Sequence, residues 1–183
     1  MTPTRICLVG HSGSGKSTTA AMIHDATGAR HLTCEVIKVG APLYELQQRF
    51  YARLGHPLPA GQQDQQLLEG IARWVRKRQP QFLVEDFLDR AERVHAQVLV
   101  NDDVRSYDFD YPELRRRGWT AVRVSAPEEL RGKRLAAQGY LSLSDASTAG
   151  VDDIGVDFEI RNDTTIAALR SKVGLLMERV LPC

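Results

Sequence analysis

Gly10-His-Ser-Gly-Ser-Gly15-Lys16-Ser17 constrains this chain more than any other stretch. It fits the spacing G-x-x-x-x-G-K-[ST] in full, and its neighbours supply the setting that spacing needs. Arg5 to Val9 is a short β-branched and apolar run, and Ser17 to Ala26 reads as helix. A strand that breaks into a glycine-rich loop and then a helix carries the loop to the end of a sheet. The glycines let the backbone curl tightly with its N–H groups turned inward, and the helix N-terminus adds partial positive charge. Such a loop is an anion cradle. Gly10, Ser12, Gly13, Ser14, Gly15, Lys16, Ser17 and Thr18 are therefore the candidate nucleotide-binding residues. Lys16 can reach the β- and γ-phosphates of ATP and offset charge as a phosphoryl group moves, while Ser17 offers a hydroxyl to Mg²⁺. Thr18 is the weaker candidate, for the α-phosphate. His11 fills a variable position of the loop and receives no catalytic role.

The rest of the chain repeats the strand-then-helix alternation. Leu32 to Val39 reads as a second strand and Pro42 to Leu54 as a helix, with Leu43, Leu46, Phe50 and Leu54 near helical spacing. Gly55 to Gln66 is a Pro/Gly/Gln-rich loop. Helices follow over Leu67 to Arg78 and Phe82 to His95, separated at Pro80. Gln97 to Val100 and Thr120 to Val124 are wholly or nearly apolar, as strands covered on both faces must be. Pro127 to Ala137 reads as a basic helix, Gln138 to Asp153 as a polar loop, Asp157 to Ile160 as a last strand and Thr164 to Val180 as the final helix. Five strands alternating with helices predict a three-layer α/β/α fold with a mainly parallel sheet, since parallel strands need crossovers and helices supply them. No repeat or linker divides the 183 residues, so one domain is expected.

Composition narrows the function classes. The net charge of +1 argues against a dedicated nucleic-acid binder, so any anionic ligand must be met by placed charges. No apolar stretch approaches the roughly 20 residues needed to span a bilayer. The first nine residues run directly into a strand pattern, which leaves no room for a signal peptide and predicts a cytoplasmic protein. Cys7, Cys34 and Cys183 lack metal-ligand spacing and read as reduced thiols.

Further candidates lie where strands end, which is where ligands bind in open α/β sheets. Val98-Leu-Val-Asn-Asp102-Asp103-Val-Arg105 is an apolar strand ending in carboxylates, able to hold a metal-bound water opposite Ser17. Asp102 and Asp103 compete for that role, Asp102 being the metal-side candidate. Arg105 offers a planar fork for an acceptor phosphate. Arg131 and Arg134, on the helix entering the polar loop, could close over the ATP phosphates, or could form a solvated helix face. Residues 138–153, with Gly139 and Gly150 near the ends, are expected to be a lid. Trp74, Tyr44, Phe50 and Phe82 could stack on a base, or belong to the core. Arg115-Arg-Arg117 is explained by a helix C-terminus before Gly118.

With these residues named, the chain resembles the deoxynucleoside monophosphate kinases of phages and bacteria, a branch similar to dephospho-coenzyme A kinases and adenylate kinases. The stretches that carry the resemblance are the P-loop, Gly40-Ala-Pro-Leu43, Leu67-Leu-Glu-Gly-Ile through Trp74-Val-Arg76 to Pro80-Gln-Phe, and Asp103-Val-Arg105, joined by Asp157 through Asp163 near the end. The resemblance implies a P-loop kinase using ATP and Mg²⁺, with an acceptor-binding helical region at about 41–95. It makes Ala41, Pro42, Leu43, Trp74, Arg76 and Arg105 acceptor-side residues, Asp103 the polar residue at the reaction centre, and Asn162 a neighbour of the ATP base. Ala41 stands where the family has Asp, and Ser106 through Glu113 replaces its Phe-Pro-Asn-Glu, so a modified nucleotide fits as well as an ordinary one. The expected partners are ATP and a nucleoside monophosphate, with no membrane and no nucleic-acid polymer; a homodimer is allowed. The rival readings are a dephospho-coenzyme A kinase-like enzyme, phosphorylating a hydroxyl, and a regulatory ATPase or switch without a small acceptor. The fifty or so residues of helix between strands two and three argue against the switch.

Overall fold

The computed structural model describes residues 2–59, 61–104, 106–137 and 150–181. Five strands form one sheet in the order β2-β3-β1-β4-β5: β1 (Thr4–Val9), β2 (Cys34–Val36), β3 (Val98–Asn101), β4 (Thr120–Ser125) and β5 (Phe158–Arg161). Every pairing is parallel. Seven α-helices link or follow them among the described residues: α1 (Lys16–Gly28), α2 (Ala41–Arg53), α3 (Gln65–Arg78), α4 (Phe82–Arg93), α5 (Asp110–Arg116), α6 (Glu128–Ala137) and α7 (Ile166–Val180).

The two-residue period of a strand divides the core between the two faces of the sheet. Ile6 and Leu8 of β1 join Val98, Val100, Val122 and Val124 against α1 and α7. Cys7 and Val9, one residue out of phase, join Leu99 and Ala121 in the other cluster, under residues of α2, α3, α4 and α5. Trp119 and Phe87 lie in that second cluster with ring centroids 5.2 Å apart. The result is the three-layer parallel α/β/α fold that the strand-helix alternation predicts.

Some boundaries differ for identifiable reasons. Strand β2 pairs over only Cys34–Val36, because beyond it the N–H groups of Val39 and Gly40 are captured by the Asp103 carboxylate at 2.7 and 2.9 Å. Helix α7 starts at Ile166 because the Thr165 side chain caps it, accepting from Ala168 N–H. The apolar series of α2 is not a core stripe: Leu43 is buried, whereas Leu46, Phe50 and Leu54 are exposed and the other buried residue is Gln47. Gln47 is buried because its amide holds the incoming loop, donating to Gln62 O and accepting from Asp64 N–H.

Candidate functional site

Because β1 is central and the chain departs from it to both sides, the C-terminal ends of β1 and its neighbours form the crevice where open α/β sheets bind ligands. The glycine-rich loop emerges there. Gly10, Gly13 and Gly15 have φ of 144°, 75° and 103°, values that favour glycine. Packing demands glycine as well. A methyl at Gly10 would lie 2.2 Å from Val124 O, at Gly13 2.7 Å from Arg131 O, and at Gly15 2.3 Å from Asn162 Nδ2. The loop is pressed against β4, α6 and the end of β5 at once.

Its carbonyls are accounted for by side chains. Lys16 Nζ donates to Gly10 O at 2.7 Å and His11 O at 3.0 Å. Arg131 donates to Ser12 O at 3.2 Å, and Arg134 to Gly13 O at 3.4 Å and Ser14 O at 3.5 Å. Asn162 Nδ2 donates to Ser14 O at 2.8 Å. Five successive carbonyl oxygens thus accept from side chains, all five from cations, which offsets negative potential along the loop and favours an anion in it. Arg131 and Arg134 reach the loop backbone, and Asn162 braces it at Ser14 and Gly15. Arg134 and Asn162 also line the cleft. His11 sits at the rim, its Nε2 3.0 Å from Asp152 Oδ2.

The cleft in front of the loop has a volume of about 370 Å³. Ser12, Gly13, Gly15, Lys16, Ser17 and Thr18 form one wall, and Lys38, Tyr44, Asp102 and Asp103 lie across it. The β2–β3 register explains that far wall. Cys34 pairs with Val98, and the same separation of 64 positions carries Lys38 to Asp102 and Val39 to Asp103 beyond the strands. Lys38 Nζ lies 2.6 Å from Asp102 Oδ1. Asp103 is loaded: Oδ1 accepts from Val39 N–H and Asn101 Nδ2, both at 2.7 Å, and Oδ2 from Gly40 N–H at 2.9 Å and Tyr44 O–H at 3.4 Å. It staples the start of α2 to β3 and lines both this cleft and a smaller cavity beside it.

That smaller cavity, about 70 Å³, lies between α2, α3 and the sheet and is lined by Leu43, Tyr44, Gln65, Leu68, Arg76 and Asp110 among others. Arg76 Nη2 donates to both oxygens of the buried Asp110 at 2.9 Å. Ala41 and Pro42 form the first turn of α2 and line neither cavity. Trp74 is 59% exposed beneath the Arg78 guanidinium and lines a separate shallow groove, so the structure keeps it out of both cavities. Its position on α3 turns it away from the side that packs on the core. Of the four aromatics, Tyr44 alone reaches the cavities; Phe50 and Phe82 are exposed. Arg105, residues 138–149 of the expected lid, and Cys183 lie outside the described residues. Cys7 and Cys34 are free thiols, and burial pushes Cys7 up to about 12.

Sequence reasoning missed Lys38, Gln63 and Gln65, which line the cleft, and Asn101, which orients Asp103. Lys38 had a usable signal, since it is a cation at the end of an apolar run, the same signal that singled out Arg105. The two glutamines had none.

Magnesium asks for few protein ligands, one or two oxygens beside phosphate and water. Ser17 and Asp102 on opposing walls of one cleft fit that demand. Among the described residues no cluster of three or more His, Cys, Asp or Glu could hold a metal unaided.

A phosphate-binding loop at the tip of the central strand of a parallel sheet, with carboxylates at the tip of the next, defines a P-loop NTPase with the fold of small kinases. A profile described as AAA domain matches residues 1–110, and the chain belongs to that family. Shikimate kinase from Acinetobacter baumannii, solved with shikimate, superposes with a TM-score of 0.52 at 16% identity over 98% of this chain and 93% of that one. A gluconokinase from Sinorhizobium meliloti 1021 gives 0.54 at 17% identity over 97% and 95%. The APS kinase CysC of Mycobacterium tuberculosis, in complex with AMPPNP and APS, gives 0.52 at 16% identity over 97% and 99%. No curated protein matches the sequence. Among the described residues no helix is long and apolar enough to cross a membrane.

Proposed function

We propose that this chain is an ATP- and Mg²⁺-dependent kinase, a single domain that transfers the γ-phosphoryl group to a small acceptor, and that the acceptor is a nucleoside monophosphate. The observation that carries the reading is the cleft itself, with Lys16 and Ser17 on one wall and Asp102 and Asp103 on the other. In this reading the loop N–H groups and Lys16 hold the ATP phosphates, and Lys16 offsets the charge that shifts toward the leaving ADP oxygen. Ser17 and Asp102 hold Mg²⁺, which when bound neutralises phosphate charge. An acceptor oxygen forms the new bond to the γ-phosphorus as the bond to the bridging oxygen breaks, its electron pair leaving with ADP.

The state of the carboxylates supports a phosphate as the attacking group. A hydroxyl acceptor must lose a proton, and a carboxylate whose oxygens already accept four hydrogen bonds, as those of Asp103 do, has its lone pairs occupied and none left to receive it. A phosphomonoester, with a second pKa of about 6, brings an anionic oxygen at neutral pH and needs no base. The helical region at 41–95 and its cavity form the acceptor side, where Arg76, Arg105 and Tyr44 are the residues to test. One observation favours the second reading, a hydroxyl acceptor as in dephospho-coenzyme A kinases: Arg76 is already paired with the buried Asp110, its Nη2 held by both carboxylate oxygens. The kinases of shikimate, gluconate and APS that share the fold make those acceptors worth including.

The test is a screen of nucleoside monophosphates, dephospho-coenzyme A, shikimate, gluconate and APS with ATP and Mg²⁺, reading ADP formation. Lys16→Ala should lower turnover at least a hundredfold with an unchanged circular dichroism spectrum. A loss under about tenfold, or roughly 1.4 kcal/mol of barrier, is too small for the role assigned. ADP release that no acceptor stimulates would point to a regulatory ATPase instead.

A further inference from the structure

Lys38 is a cation of the cleft that no motif accounts for. Two separate elements fix it. Its carbonyl accepts from Arg90 Nη2 at 2.8 Å, and Arg90 is itself held on α4 through Asp86 at 2.8 Å. Its ammonium pairs with Asp102 at the tip of β3, 2.6 Å away. The two partners are unequally placed. The Lys38 side chain is 37% exposed and that of Asp102 only 2%, so the face the pair turns outward is the cation. An ammonium has three donors, and Asp102 Oδ1 takes one of them.

The sheet order says what this cation faces. Strand β2 stands two places from β1, and neighbouring strands are about 4.8 Å apart, so Lys38 lies roughly 10 Å across the sheet from the strand that launches the P-loop. Lys16 and Lys38 nevertheless line one cleft, with Asp102 and Asp103 between their strands. Lys38 is on the side toward the smaller cavity, which shares Tyr44, Gln63, Gln65 and Asp103 with the cleft. A phosphate leaving the loop must be received on that side. Arg76, which the resemblance puts there, lies in the smaller cavity with its Nη2 held by both oxygens of Asp110. A compact ammonium suits a phosphate as a point charge, and the Lys38 ammonium, unlike the Arg76 guanidinium paired with the buried Asp110, is turned out into the cleft.

We propose that Lys38 binds the phosphate of the acceptor, across the cleft from the P-loop, and that Asp102 is its positioning residue. The inference rests on the kinase reading and deepens it, because it makes the acceptor a phosphate-bearing molecule rather than a neutral polyol. Asp102 can serve lysine through Oδ1 and a magnesium-bound water through its other oxygen.

The experiment saturates the protein with Mg²⁺ and adenylyl imidodiphosphate, an unreactive ATP analogue, so that the loop is filled. Inorganic phosphate is then titrated calorimetrically into the wild type and Lys38→Gln, which keeps a donor for Asp102 and removes the charge. Phosphate should bind the wild type, and bind Lys38→Gln at least tenfold more weakly, with analogue affinity kept within about threefold. Equal phosphate affinity in the two proteins, or none in the wild type, overturns the assignment. Failure of the wild type to bind the analogue at all overturns the kinase reading instead. A second measurement needs no variant: phosphate added to the loaded wild type should slow acetylation of Lys38 by acetic anhydride, read by peptide mass spectrometry. An unchanged rate at Lys38 counts against the proposal.

Discussion

Replacing Gly15 by alanine probes how tightly the phosphate loop is locked to the fold. Gly15 has φ of 103° and ψ of 22°, and an added methyl would sit 2.3 Å from Asn162 Nδ2. Two costs combine. Holding a non-glycine residue in left-handed backbone costs about 1–3 kcal/mol. Asn162 must also move, giving up its 2.8 Å bond to Ser14 O and stranding a buried amide, which costs about 1–3 kcal/mol more. The midpoint is about 4 kcal/mol, and for a domain of this size each kcal/mol lowers Tm by about 2–4 °C, giving a fall of roughly 8–16 °C. The decisive quantity is a double-mutant cycle measured by guanidinium unfolding and circular dichroism. In an Asn162→Ala background there is no amide to displace, so Gly15→Ala should cost only the backbone part, leaving a coupling of about 1–3 kcal/mol. Costs that agree within about 0.5 kcal/mol in the two backgrounds would refute the reasoning, because they would mean that Asn162 does not brace the loop.

Asp110→Ala should destabilise the chain by about 2–4 kcal/mol in denaturant unfolding, the usual cost of breaking a buried pair less a discount for the partly exposed Arg76. Arg76→Met with Asp110→Leu should recover most of that loss. Burial pushes the Cys7 thiol up to about 12 and raises Cys34 as well, so native Cys7 should resist iodoacetamide at pH 8.5 until the protein is unfolded, as peptide mass spectrometry would show. The sign of the linked effect is fixed: the raised pKa makes the Cys7 contribution complete below about pH 9, and it is lost as pH climbs toward about 12.

The phosphate loop was legible because its chemistry is local: eight consecutive residues carry the glycines, the lysine and the hydroxyl, and a strand and a helix flank them. The sheet was legible for a related reason. A parallel strand buried on both faces must be apolar throughout, so Leu99 and Val100, or Ala121 and Val122, announce their environment without reference to the rest of the chain. The carboxylates after β3 were legible by position, but their division of labour was not. Nothing in the sequence near Asp103 says that it will accept N–H groups from residues 63 and 64 positions earlier, while Asp102 takes an ammonium.

Those contacts follow from strand order and register, which local periodicity does not encode. Pairing Cys34 with Val98 carries Lys38 to Asp102 and Val39 to Asp103, and a shift of one residue would have set Lys38 against Asp103 or Asn101 instead. Asn162 reaches Ser14 across 148 positions because β5 and the turn after it end beside the loop. Likewise the Leu46, Phe50 and Leu54 series has helical spacing, yet α3 and the sheet cover the Leu43 and Gln47 side of α2 and leave that series outside. Sequence determined that this chain carries a loop of phosphate-binding pattern at the tip of a strand in a parallel sheet. Only the tertiary structure decided which distant side chains complete the cleft, because chain segments meet by packing, and packing is a property of the whole fold.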